Sequence, residues 1–140
     1  MTVTGADVVV EAIKHLGVSY VWGGKVASGW DCSGFIKYVL EQLGIERVPD
    51  GSFNQYAWCG RSALLKPVDH VRGVAGALVF RENKGNHRIE HVAFTDGMNN
   101  TIEARGKLFG TGVWPWRANW TDGALIPGVH YPEKGSRYGQ

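Results

Sequence analysis

The chain has 140 residues, 44% of them hydrophobic, with 15 Lys and Arg against 13 Asp and Glu and a net charge of +2 when histidine is neutral. That size and apolar content suit one compact domain with its own core rather than two. The basic residues never cluster, which excludes a nucleic-acid footprint; no run of about 18 apolar residues can span a membrane.

Residues 1–20 lack the basic and apolar regions of a secretory signal, so export, if any, needs another route. A chain made without a leader starts in a reducing compartment, and its two cysteines, Cys32 and Cys59, are expected as free thiols. A domain cut from a longer chain would read the same way.

From the N-terminus, Thr4 and Asp7 have capping-box spacing. Val9, Ala12, Ile13 and Leu16 then recur at helical intervals until Gly17 offers a stop. A glycine-rich loop from Gly23 to Gly29 leads to Asp31, a good N-cap, and Phe35, Ile36, Val39, Leu40 and Leu43 form the apolar stripe of a second helix ended by Gly44. Cys32 therefore lies in that helix's first turn, where unpaired N–H groups and the helix dipole should lower its pKa. Ser52 and Gln55 suggest a second capping box, opening a short helix through Tyr56 and Trp58. Short β-forming runs follow at 77–81, 89–95, 101–105 and 124–129. Helices first and strands later indicate an α+β domain over residues 1–131, followed by a polar tail at 132–140.

Strand alternation sends Val92 and Phe94 to one face and His91, Ala93 and Thr95 to the other; Ile102 and Ala104 share the first face, and Thr101, Glu103 and Arg105 the second. If a three-residue turn over 96–98 closes on Thr95 and Asn99, His91 and Glu103 become direct cross-strand neighbours. The glutamate can then hold one imidazole nitrogen and leave the other for a thiol, a cysteine–histidine–carboxylate relay. Each member also has a bland reading. A buried cysteine is ordinarily an inert hydrophobe, and a strand histidine or glutamate ordinarily a satisfied polar group. Cys59, His15, His70, His87 and His130 have no comparable pattern. The chain lacks C-x-x-C, H-E-x-x-H and H-x-E signatures, so no metal site and no cofactor are expected.

Tyr20 with Gly23 and Gly24, then Asp31-Cys32-Ser33-Gly34-Phe35, then His91-Val92-Ala93-Phe94, then Ile102-Glu103-Ala104 form an ordered set that resembles the NlpC/P60 family of cysteine peptidases. The resemblance spans roughly residues 5–105. It implies a papain-like α+β fold, with N-terminal helices on a central antiparallel sheet and the catalytic cysteine at a helix N-terminus. It also implies hydrolysis of peptidoglycan stem peptides, between D-glutamate and a diamino acid. By motif, Cys32 is the nucleophile, His91 the base and Glu103 the third polar residue. Tyr20 matches the tyrosine lining the cleft, and Asp31 and Ser33 match positions that receive the free amino end of the stem peptide. Structural readings stand equally beside these three: Tyr20 packs, Asp31 caps, and Ser33 solvates the first turn.

Three departures stand out. Glu103 occupies a position commonly held by histidine, and Val74-Ala75-Gly76-Ala77 stands where the family usually has Pro-Gly-Asp. The third is a pair of segments, 81–88 and the aromatic run holding Trp114, Trp116 and Trp120, that have no family role. Two other functions stay open: an N-acetylmuramoyl-L-alanine amidase or related papain-like acyl transferase, and a catalytically silent wall-binding or particle-assembly module. A wall-degrading fold without a signal peptide suggests a bacteriophage lysin or tail enzyme, released by lysis or carried on a virion. The scissile bond, the host, the oligomeric state and the second oxyanion donor are not written in the sequence.

Overall fold

A computed structural model describes residues 2–132; the expected polar tail lies, from residue 133 on, outside the described residues. Strand β1 (Val3–Thr4) runs directly into helix α1 (Gly5–Ile13). The capping box is present: Thr4 N–H donates to Asp7 at 2.9 Å, and Asp7 N–H donates to the Thr4 hydroxyl at 3.2 Å. The buried face differs from the expected stripe. Gly5, Val8 and Ala12 face inward, while Ile13 and Leu16 are exposed. Backbone approach sets this face, because a Cβ on Gly5 would stand 2.0 Å from the Ala75 carbonyl oxygen.

The glycine-rich loop contains a small hairpin, β2 (Lys25–Val26) with β3 (Gly29–Trp30), and delivers the chain to α2 (Cys32–Gln42). Asp31 is its N-cap, accepting from Gly34 N–H at 2.7 Å. Phe35, Ile36, Val39 and Leu40 are fully buried as expected, each contributing roughly 1.5–3 kcal/mol of transfer free energy. Gly34 permits contact with the loop rather than with the sheet: a Cβ there would meet the Gly24 oxygen at 2.0 Å.

Helix α3 (Ser52–Arg61) lacks the expected box. Its N-cap is Gly51, at φ 89° with no side-chain cap. Gln55 turns into the core instead, donating to the carbonyls of Ser33 and Pro49, each at 3.0 Å. Two elements too short to show periodicity follow, β4 (Leu65–Lys66) and α4 (Val68–Arg72).

The strands β5 (Ala75–Glu82), β6 (Ile89–Asp96), β7 (Asn100–Ala104), β8 (Thr111–Pro115) and β9 (Asp122–Ala124) join β4 in one antiparallel sheet, ordered β4-β9-β5-β6-β7-β8. The strand expected at 124–129 is divided, its end forming β10 (Val129–His130) parallel to β1. One sheet face carries Leu78, Phe80, Val92, Phe94, Ile102 and Ala104 against the apolar sides of α1 and α2. The other carries Ala77, Val79 and Ala93 beneath Val71 of α4 and Trp120.

The β6–β7 turn corrects the expected register. Asp96, not Thr95, closes it: its carboxylate accepts from the N–H groups of Met98 at 2.7 Å and Asn100 at 3.0 Å, and from the Asn100 side chain at 2.9 Å. The loop is then 97–99, with Gly97 and Asn99 at φ 80° and 67°. Phe94 pairs with Ile102 and Thr95 with Thr101, and there the ladder stops. A shift of two positions preserves the faces, so His91 and Glu103 are diagonal rather than direct neighbours.

Candidate active site

Beyond Phe94 and Ile102 the ladder between β6 and β7 ends, and β6 faces the first turn of α2 through Val92 and Cys32. Phe80, opposite Val92, directs its carbonyl away to Thr121 N–H at 2.9 Å, so Val92 N–H points toward α2. That N–H and the Ser33 N–H are directed at the Cys32 sulfur. Cys32, only 8% exposed, thus lies against the residue following His91.

Its ionisation differs from the expected lowering. Burial pushes the Cys32 thiol up to about 11; the two N–H groups oppose this, and the negative charges of Asp31 and Glu103 add to it. Desolvation therefore outweighs the helix terminus, and the thiol depends on a neighbouring base to lose its proton.

His91 is 6% exposed, and its Nε2 donates to Glu103 Oε1 at 2.8 Å. The diagonal placement achieves what direct pairing was expected to achieve, and leaves Nδ1 as the imidazole nitrogen for a thiol. Glu103 has no exposed surface. Its Oε1 also accepts from Arg117 Nη2 at 2.7 Å, and its Oε2 from the Thr101 hydroxyl. Burial alone would raise this carboxyl, but the bonds from His91, Arg117 and Thr101 outweigh it and hold the pKa down to about 2.

The three residues carried over for substrate also gather here. Asp31 Oδ1 accepts from Gly34 N–H and from the Ser33 hydroxyl at 3.2 Å, while Oδ2 accepts from Gly23 N–H at 3.1 Å. Asp31 therefore ties the glycine-rich loop to α2. Ser33 is buried, and its carbonyl is held by Gln55. Tyr20 is half-buried and bridges to Trp30; burial, then the nearby charges of Cys32 and Asp31, push its phenol up to about 12.

Sequence reasoning missed Thr101, Arg117, Trp120 and Gln55. Thr101 was detectable, since it stands two residues from Glu103 on the same strand face. The Trp120 ring stacks on His91 at 5.7 Å between centroids, 18° from parallel, and the Arg117 guanidinium lies over Trp120 at 4.9 Å. The only hint of either was the density of aromatics from Trp114 to Trp120. Among the described residues, no group of three His, Cys, Asp or Glu side chains is arranged to hold a metal ion.

The chain is similar to several known proteins. "Probable endopeptidase p60" of Listeria innocua is 37% identical over 97 residues, covering 69% of this chain and 19% of that protein. "Gamma-DL-glutamyl hydrolase" of Bacillus subtilis is 37% identical over 101 residues, covering 69% of this chain and 22% of that protein. The chain thus spans about a fifth of these curated relatives. The crystal structure of the NlpC/p60 domain of the peptidoglycan hydrolase SagA superposes with a TM-score of 0.75 at 31% identity, covering 89% of this chain and all of that one. The family model of NlpC/P60 matches residues 17–113, which include Cys32, His91 and Glu103, and on that match the chain belongs to the NlpC/P60 family.

Proposed function

We propose that this domain is a cysteine peptidase that hydrolyses peptidoglycan stem peptides, with Cys32 as nucleophile, His91 as general base and acid, and Glu103 as the residue orienting the imidazole. The observation that carries this reading is the buried His91–Glu103 hydrogen bond beside the helix start bearing Cys32. His91 Nδ1 takes the thiol proton, and the thiolate attacks the amide carbon. Collapse of the tetrahedral adduct releases the amine, protonated by imidazolium, and leaves a thioester. Water, deprotonated by His91, then attacks the thioester and restores the thiol. The Cys32 N–H, at the first helical position and without an intrahelical acceptor, serves as one oxyanion donor, a contribution on the order of 3 kcal/mol.

The bond proposed is that between D-glutamate and a diamino acid. Two of the protein's own features support an amino-terminal stem peptide in the cleft. Asp31 Oδ2 makes a single hydrogen bond and keeps a lone pair for an ammonium. Tyr20, holding its proton, supplies a donor beside Cys32. The name of the Bacillus subtilis relative, a gamma-DL-glutamyl hydrolase, is consistent with this bond.

Digestion of defined muropeptides followed by mass spectrometry is the test. Products cut after D-glutamate support the proposal. Release of the whole stem from muramic acid would make the domain an amidase, and sedimentation with walls without any product would make it a silent binding module.

A further inference from the structure

Glu103, His91, Trp120 and Arg117 form a closed ring of contacts. Two nitrogen donors meet one carboxylate oxygen, Nε2 of His91 at 2.8 Å and Nη2 of Arg117 at 2.7 Å. Both also lie against one indole: the imidazole stacks on Trp120 at 5.7 Å, and the guanidinium sits over it at 4.9 Å. Trp120 is itself only 6% exposed. The indole and the guanidinium belong to neither β6 nor β7. Arg117 and Trp120 come from the segment between β8 and β9, so two residues of the relay are held by a part of the chain that contributes nothing to their strands.

A buried glutamate with imidazole as its sole partner would sit against a like-charged thiolate in a low-dielectric site. It would be free to take the imidazole proton or to rotate away. Arg117 supplies a permanent charge on a planar guanidinium, bonded to Oε1 through Nη2, and Thr101 fixes the other oxygen, so Oε1 stays where His91 needs it. Resting on the cysteine-peptidase reading above, we propose that Arg117, backed by Trp120, is the positioning residue that holds Glu103 ionised and oriented on His91. In this chain the arginine–glutamate pair thereby does the work of one neutral third residue. The charged and titratable groups facing Glu103 are His91 from β6, Arg117 from the β8–β9 segment and Cys32 from α2, with the Thr101 hydroxyl on its own strand.

The test uses alkylation of Cys32 by iodoacetamide, mapped by mass spectrometry to separate it from the buried Cys59, across pH 5–9, together with kcat and KM on muropeptide. In Arg117→Met, with an unchanged circular dichroism spectrum, alkylation at pH 7 should slow roughly tenfold. The acid limb of the profile should move upward, and kcat should fall by a similar factor at near-constant KM. Arg117→Lys, which keeps the charge without the planar guanidinium, should recover part of the loss. An Arg117→Met profile superimposable on wild type would overturn the proposal. So would an Arg117→Lys variant as slow as Arg117→Met at equal thermal stability. If Arg117→Met does not fold, the lysine variant alone decides: a profile identical to wild type overturns the role of the guanidinium, and a partial loss sustains it. His91→Ala separates this from the underlying reading, because Cys32 alkylating as fast there as in wild type would remove the relay itself.

Discussion

Glu103 carries a charge in a place with no solvent, and everything about its surroundings follows from that. Three donors satisfy its oxygens, and one of them is the imidazole that the chemistry uses. Replacing it by glutamine keeps the shape but strips Arg117 of its counter-charge, leaving a cation partly buried and unpaired. We expect Glu103→Gln to lower kcat roughly 10- to 1,000-fold, short of the complete loss expected for Cys32→Ala, in muropeptide assays with both variants. Cys32 gives a second prediction. Its thiol is pushed up to about 11 by burial, so the thiolate present at neutral pH must come from proton transfer to His91. In His91→Ala the thiol should stay protonated through pH 7–9 and react with iodoacetamide only as pH approaches that value. Fast labelling of His91→Ala at pH 7 would contradict this.

At the scale of elements, the site depends on one close approach and one turn. The first turn of α2 lies on the glycine-rich loop through Gly34, where any side chain would strike the Gly24 carbonyl. Gly34→Ala should therefore cost about 1–3 kcal/mol and lower the melting temperature by on the order of 5 °C, with Cys32 displaced and activity reduced beyond what stability explains. Melting curves and kcat at 25 °C would show both. The β6–β7 turn marks the boundary of what residue patterns convey. Alternation put His91 and Glu103 on one face, because strand parity depends only on the local period of two. Register depended on a side chain: the Asp96 carboxylate captures Met98 and Asn100 and moves the closing pair by one residue on each strand. Asp31 and α2 were legible because a cap and a stripe are local signals. Gln55 was misread as a capping residue because its competing partners, the Ser33 and Pro49 carbonyls, lie on other segments. Strand β8, holding Gly112 and Pro115 at the sheet edge, has a pattern that only its neighbour stabilises. The ring through Arg117 and Trp120 left no trace beyond a density of aromatics, since nothing periodic connects residue 117 to residue 103.

For the molecule as a whole, the buried carboxylate links folding to pH. The Glu103 carboxyl titrates at about 2 in the folded protein against an ordinary value of 4.5. A depressed folded value means that the group stabilises the fold above the ordinary value and loses that contribution as pH falls toward the folded one. The amount is on the order of 3 kcal/mol, disappearing between about pH 5 and 2. Urea midpoints at pH 6, 4 and 3 should decline steeply in wild type and less steeply in Glu103→Gln; parallel declines would show that other carboxylates dominate. Exposed pairs such as Lys25–Asp50 and Arg81–Glu90 contribute little to this slope.

The pairing of β1 with β10 has a mechanical meaning. Val3 lies beside Val129 and Thr4 beside His130, with both strands running the same way. Tension applied through the two ends of the described chain would drag these strands past one another lengthwise, straining their hydrogen bonds together instead of peeling them one at a time. Stretched between two attachment points, the domain would resist first at this clasp, and the sheet that carries His91 and Glu103 would feel the load only after the clasp had given way.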